Sequence, residues 1–296
     1  MFEPAPPDSG AARPMQRGKV FVSVDAEGLP FSVTPWLMPG WSLFQEMRRV
    51  ATRLTRVVAG VLAARGYRVA VADSHGYMVN IDPLGLPRGV TLVRGFPRAL
   101  SMVAGARGSS FAIFLGYHAA AGEASAFSHT YSGSVVHRVT LNGEPASEYL
   151  LNAMLLGEWG VPVALVAGAA ELRAEVERHT PWAAFTPLTE SLGYLATASR
   201  SIEELEEELR AATEEAAAKA ERGEARPLKP PSRVRLCVEF HRPLYAETAS
   251  LIPGSEMEAP TRVCYTASTV EEAYRVFEAM VYLAGWSLRV FRDQFR

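Results

Sequence analysis

The stretch Ser23-Val24-Asp25-Ala26-Glu27-Gly28 sets two carboxylates, one residue apart, where an apolar run ends. That run, Lys19-Val20-Phe21-Val22-Ser23-Val24, is β-branched and aromatic, the composition of a buried strand. In an extended segment residues i and i+2 project to the same side, so Asp25 and Glu27 can converge on one point. Like charges brought together are costly unless a cation or a shared proton compensates them, and a metal ion is the readiest compensator. Taken alone, the pair reads better as an Asx-turn followed by a solvated Glu. Repetition displaces that reading. Arg68-Val69-Ala70-Val71-Ala72 runs into Asp73-Ser74-His75-Gly76, and Phe111-Ala112-Ile113-Phe114-Leu115 runs into Gly116-Tyr117-His118. Three strands thus deliver Asp25, Glu27, His75 and His118 just past their last apolar residue. In a parallel α/β sheet such carboxyl ends share one edge, where ligands bind.

Around these strands the chain reads as alternating strand and helix, which predicts an α/β fold with a mostly parallel sheet and flanking helices. Ser42 and Gln45 have capping-box spacing ahead of a helix carrying Leu43, Met47, Val50, Leu54, Val58 and Leu62, with Gly66 as its stop. Val90–Val93 reads as a further strand and Pro97 to Ala104 as a short helix. Val135 to Leu141 leads into Asn142-Gly143, a strong hairpin signal. Glu144 to Gly157 is predicted as a helix, and Glu148 falls early in it, where the helix dipole tolerates a carboxylate. From pattern alone, charge complementarity is the better account of Glu148. Val161 to Gly168 reads as another buried strand.

Composition narrows the class. The 296 residues are 48% hydrophobic and 21% charged, with a formal net charge of -2, which gives no support for a nucleic-acid partner. Residues 1–18, rich in Pro, Ala and Gly, read as a disordered tail without a signal-peptide core. No segment has the uninterrupted apolar length of a membrane span. Cys237 and Cys264 lie in separate strand-like runs that can face each other, yet two cysteines make no disulfide framework, so a reducing, cytoplasmic setting is expected.

Ser23-Val24-Asp25-Ala26-Glu27-Gly28, Asp73-Ser74-His75, Leu115-Gly116-Tyr117-His118, Ser128-His129 and Leu151-Asn152-Ala153 occur in this order. Val166-Ala167-Gly168, Val238-Glu239-Phe240 and Ile252-Pro253-Gly254 follow. Together they closely resemble the zinc-dependent D-aminopeptidases of the DppA type, from about residue 19 to the end. The resemblance implies a metallo-aminopeptidase that removes an N-terminal residue, a D-residue in that family, from short peptides. It implies two zinc ions per subunit. Asp25 would bridge them, Glu27 and His75 would complete one site, and His118 and Glu148 the other. His129 matches the family's non-ligand catalytic histidine, and self-assembly into a ring-shaped homo-decamer is implied as well. Mixed His and carboxylate donors suit Zn²⁺ independently, and imidazole, which exchanges protons near neutral pH, suits acid/base work beside it. Ala169-Ala170 depart from the acidic residues many relatives carry there, and the loop from Gly28 to Trp41 is shorter than the family pattern and unusually aromatic. Both leave the substrate open: L-peptides, other small amides, or a non-catalytic peptide-binding role with structural metal.

The remaining histidines have simpler readings: His137 on a hairpin strand, His179 near a helix end, and His241 at a strand end. The domain expectation is a catalytic α/β domain over 19–195 and a smaller α+β domain over 196–296, concerned with assembly or substrate access. The second part opens with a helix from Ser201 to Arg222, stopped by Gly223, whose Glu-rich side is a solvated face. Strands over Val234–Phe240 and Thr261–Ala267 are expected to pair, and a last helix is expected to start near Thr269.

Overall fold

The structure, a computed structural model, describes residues 17–34 and 38–294. Residues 1–16 of the tail expected over 1–18, and residues 35–37 of the aromatic loop, therefore lie outside the described residues. Seven strands form the first sheet: β1 (Lys19–Val24), β2 (Arg68–Asp73), β3 (Val90–Val93), β4 (Phe111–Tyr117), β7 (Val163–Ala169), β8 (Ala184–Gly193) and β9 (Ala196–Ala198). Their order is β3-β2-β1-β4-β7-β8-β9, and every pairing is parallel except the β8–β9 hairpin. Strand order reverses between β1 and β4, the crevice where open α/β sheets bind ligands. The mostly parallel sheet expected from sequence is present.

Alternation along β1 explains how this sheet is buried on both faces. Val20, Val22 and Val24 point into one core with helices α1 (Phe44–Ala64) and α4 (Ile202–Glu221). Phe21 points into the other, shared with α2 (Glu148–Glu158) and the second sheet. That sheet is antiparallel, in the order β11-β12-β10-β5-β6. It consists of β5 (Val136–Leu141), β6 (Glu144–Pro145), β10 (Val234–Phe240), β11 (Ser255–Ala259) and β12 (Arg262–Ala267). Three more helices, α3 (Arg173–His179), α5 (Pro243–Ala249) and α6 (Val270–Gln294), complete the chain. The two sheets interleave in sequence, because α4 packs on the first sheet while β5 and β6 belong to the second.

Local signals explain most boundaries. Ser201 caps α4 by accepting from Glu204 N, and Thr269 Oγ1 accepts from Glu272 N at the start of α6. Gly66, at φ +85°, stops α1. Asn142 and Gly143, at φ +50° and +89°, make the β5–β6 turn. Three expectations need correction. The Ser42–Gln45 cap does not form, since α1 begins after Leu43 with no side-chain cap. The helix expected from Glu144 begins at Glu148, because Glu144 and Pro145 pair with β5 as the returning hairpin strand. Pro97 to Ala104 contributes only a 3₁₀ turn at Ser101–Val103. Cys237 and Cys264 are register partners on β10 and β12 and are joined by a disulfide. The two strand-like runs do face each other, as the sequence allowed, and a single bridge is still no disulfide framework.

Candidate metal centre

The β1, β2 and β4 ends are held together by backbone contacts that leave no room for side chains. Asp25 N donates to Leu115 O, Gly28 N to Gly116 O, and Ser74 N to Val24 O, each at 2.8 Å. A Cβ on Gly28 would lie 2.0 Å from Tyr117 O, and one on Gly116 would lie 2.2 Å from Asp25 O. Gly116 also has φ +77°, a conformation that favours glycine. These two glycines let the segment after β1 turn inward against β4 and carry Asp25 and Glu27 into the crevice.

The second strand end is braced by its own carboxylate. Asp73, fully buried, accepts from Asn80 N at 2.5 Å, Ile81 N at 2.8 Å and Asn80 Nδ2 at 2.7 Å. Asn80 Nδ2 also reaches His75 O at 2.6 Å, so the Asp73–Asn80 clamp fixes the turn that bears His75. In sequence Asp73 is visible only as the residue that opens Asp73-Ser74-His75, with nothing to mark its clamp on Asn80. At the third end, His118 Nδ1 donates to Ala119 O at 2.9 Å, which aims Nε2 into the crevice. Glu148 is the first residue of α2, whose N-cap Ser147 accepts from Leu150 N at 3.1 Å.

Six side chains meet there. His75 Nδ1 lies 3.4 Å from Asp25 Oδ1 and 2.9 Å from Glu27 Oε2. His118 Nε2 lies 3.5 Å from Asp25 Oδ2 and 3.7 Å from Glu148 Oε2. The two oxygens of Asp25 therefore face opposite ways, one toward each histidine. His129 stacks on His118 with ring centroids 4.5 Å apart, and its Nε2 is 3.6 Å from Glu148 Oε1 and 3.8 Å from Glu27 Oε1. Its Nδ1 donates to Phe127 O at 2.8 Å. The His129 side chain is 20% exposed, against 1% for His118, which puts it on the solvent side of the group.

Electrostatics show a pocket short of positive charge. Burial, then the neighbouring Glu27 charge, pushes the Asp25 carboxyl well above the usual carboxylate range. Burial also opposes charge on Glu27, but His75 outweighs it and holds Glu27 well below its ordinary value. For His118 burial favours the neutral ring, yet Glu148 and the other carboxylates raise it to about 10. His75 is raised well above its ordinary value in the same way, with Glu27 overcoming burial. Protons on the imidazoles thus offset Glu27 and Glu148, both held below their ordinary values, while Asp25 is pushed toward its neutral form.

The donor set fits divalent cations. Asp25, Glu27 and His75 can each offer one atom within 4.8 Å of the others, and so can Asp25, His118 and Glu148. Tetrahedral zinc with bonds near 2.0 Å sets its ligands about 3.3 Å apart, close to the spacings here. Asp25 Oδ2 and His118 Nε2 are buried and have no hydrogen bond among the described residues, as a cation-binding pair requires. Glu27, His118 and His129 form a third such grouping.

A family model described as D-aminopeptidase matches residues 18–279. The chain belongs to the D-aminopeptidase family. A D-aminopeptidase of Bacillus subtilis (strain 168) is 31% identical over 274 residues, covering 90% of this chain and 97% of the relative. Among solved structures, the Zn-dependent D-aminopeptidase DppA from Bacillus subtilis is described as a self-compartmentalizing protease. It superposes with a TM-score of 0.85 at 30% identity, over 90% of this chain and 97% of that one. Within this family member the other histidines stay outside the cluster. His137 and His241 pair edge to face at 5.5 Å, and His241 Nε2 contacts Gly133 O. His179 ends α3.

Proposed function

We infer that the protein is a zinc-dependent aminopeptidase that cleaves the N-terminal residue from short peptides. The finer reading is a dinuclear site: Asp25 as the bridge, Glu27 and His75 with one ion, His118 and Glu148 with the other. The observation that carries it is the split of Asp25, whose two oxygens face His75 and His118 at 3.4 and 3.5 Å. Bound zinc supplies Lewis acidity toward the scissile carbonyl, lowers the pKa of a water toward neutrality and offers a place for the substrate's free α-amine. Burial of the five ligand side chains excludes bulk water and strengthens every charge interaction among them.

His129 has the acid/base role. It holds its Nδ1 proton on Phe127 O, so Nε2 is the atom that would take the proton given up by the attacking water and pass it to the leaving amine. Glu27 Oε1 and Glu148 Oε1 face that nitrogen at 3.8 and 3.6 Å. Selection of a D-residue is the finer part of the proposal, and family membership supports it. Self-assembly extends to this chain what is described for the relative, with a ring-type decamer as the finer form. Exposed Leu192, Tyr194 and Leu195 on the β8–β9 hairpin, and Trp286 on α6, offer apolar surface of the kind subunit contacts cover. Among the described residues no helix is long and apolar enough to cross a membrane.

The test is metal analysis of the purified chain combined with matched D-Ala- and L-Ala-containing dipeptides. Zinc-dependent release of the N-terminal D-residue is expected. Activity confined to L-peptides would defeat the stereochemical reading, and bound zinc without hydrolysis of any amide would favour a peptide-binding role.

A further inference from the structure

Tyr131 stands two residues beyond His129 at φ +62°, a left-handed conformation that bulky side chains seldom adopt. Such backbone persists where its surroundings over-determine it. The Tyr131 N–H donates to Glu148 Oε1 at 2.7 Å. Its hydroxyl donates to Asn152 Oδ1 at 3.1 Å and also contacts the Tyr274 hydroxyl. Its ring meets Phe277 edge-on, with centroids 5.0 Å apart. The left-handed turn lets one residue aim its amide at Glu148 while its ring reaches between α2 and α6.

Asn152 joins this anchor to the strand ends. Its Oδ1 also accepts from Tyr274 OH at 2.9 Å, and its Nδ2 donates to Tyr117 OH at 3.0 Å. Tyr117 OH donates in turn to Ser23 Oγ at 2.8 Å, two residues before Asp25. With Glu148 Oε1 occupied by the Tyr131 amide, Oε2 is the oxygen left facing His118.

We propose that Tyr131 is a positioning residue: Asn152 and Tyr274 lock its side chain, and its backbone amide then fixes which Glu148 oxygen faces His118 and where the His129 segment stands. Helix α6 thereby supports the centre through Tyr274, one residue removed from Glu148. The inference rests on the zinc reading above, since it assigns Glu148 to a metal.

Tyr131→Phe and Tyr274→Phe in the full chain test it, read by zinc affinity in chelator competition and by kcat and KM on the D-dipeptide. Both are expected to stay folded, as circular dichroism reads it, and to bind one of two ions about 10–100-fold more weakly, as losses behind a metal ligand do. A fall in kcat at unchanged KM should accompany this, larger for Tyr131→Phe. Should Tyr131→Phe not fold, Tyr274→Phe carries the test. Parent-like zinc affinity and kcat in the folded variants would overturn the proposal. Equal losses in Phe277→Leu, which loosens the packing but keeps both hydroxyls, would overturn it too. A parent chain that binds no zinc defeats the metal reading itself; a zinc-binding parent with unchanged variants defeats only this inference.

Discussion

His118→Ala is expected to lower zinc content from two ions toward one per chain and to remove nearly all turnover; His75→Ala should do the same from the other side. His118 is 1% exposed and lies 3.5 Å from Asp25 and 3.7 Å from Glu148, so alanine leaves that ligand set without its only nitrogen donor. Without it, two buried carboxylates face each other with one cationic partner fewer. The loss should exceed the about 10–100-fold that removal of an outer partner of a ligand costs. Zinc per chain by elemental analysis, beside kcat, reads both effects, with circular dichroism confirming the fold. Parent-level zinc in both variants would refute the ligand assignment.

His129→Ala is expected to separate the two quantities. Its ring is the most exposed of the six and belongs to neither proposed ligand set, so zinc content should stay at the parent level. Catalysis should fall by about 10²–10⁴-fold, the usual worth of a positioned acid/base group. The fall should appear mainly in kcat, since the proton is needed when the amine departs. His129 also stacks on His118 and faces Glu27 and Glu148. A variant that loses zinc together with activity would therefore make His129 a ligand instead, in the grouping it forms with Glu27 and His118. A variant as fast as the parent would remove it from the mechanism.

The centre of the first sheet was legible because β1, β2 and β4 are short apolar runs, each ending in chemistry-bearing residues that a parallel sheet must bring to one edge; β8 and β9 were not read as strands. Asp25, Glu27, His75 and His118 needed only that rule to be brought together. Glu148 did not follow from pattern, since a carboxylate at a helix start has a sufficient explanation in the dipole; the family resemblance alone singled it out. The misplaced start of α2 has a local cause. Glu144-Pro145 pairs with β5 across the Asn142-Gly143 turn, and a two-residue strand leaves no periodicity to read. The paired cysteines were visible as possible neighbours, but register, which sets Cys237 opposite Cys264, is a property of the folded sheet. Tyr131 was hidden for a similar reason: a left-handed tyrosine has no sequence signature, and its partners Asn152 and Tyr274 lie 21 and 143 residues away.

Diffraction at the zinc absorption edge, from crystals grown with zinc, tests the centre most directly. The expected result is two anomalous peaks about 3.5–4 Å apart, as in two-metal hydrolytic sites. One should be bounded by Asp25, Glu27 and His75, the other by Asp25, His118 and Glu148. A single peak away from Asp25, or none among these five side chains, would contradict it.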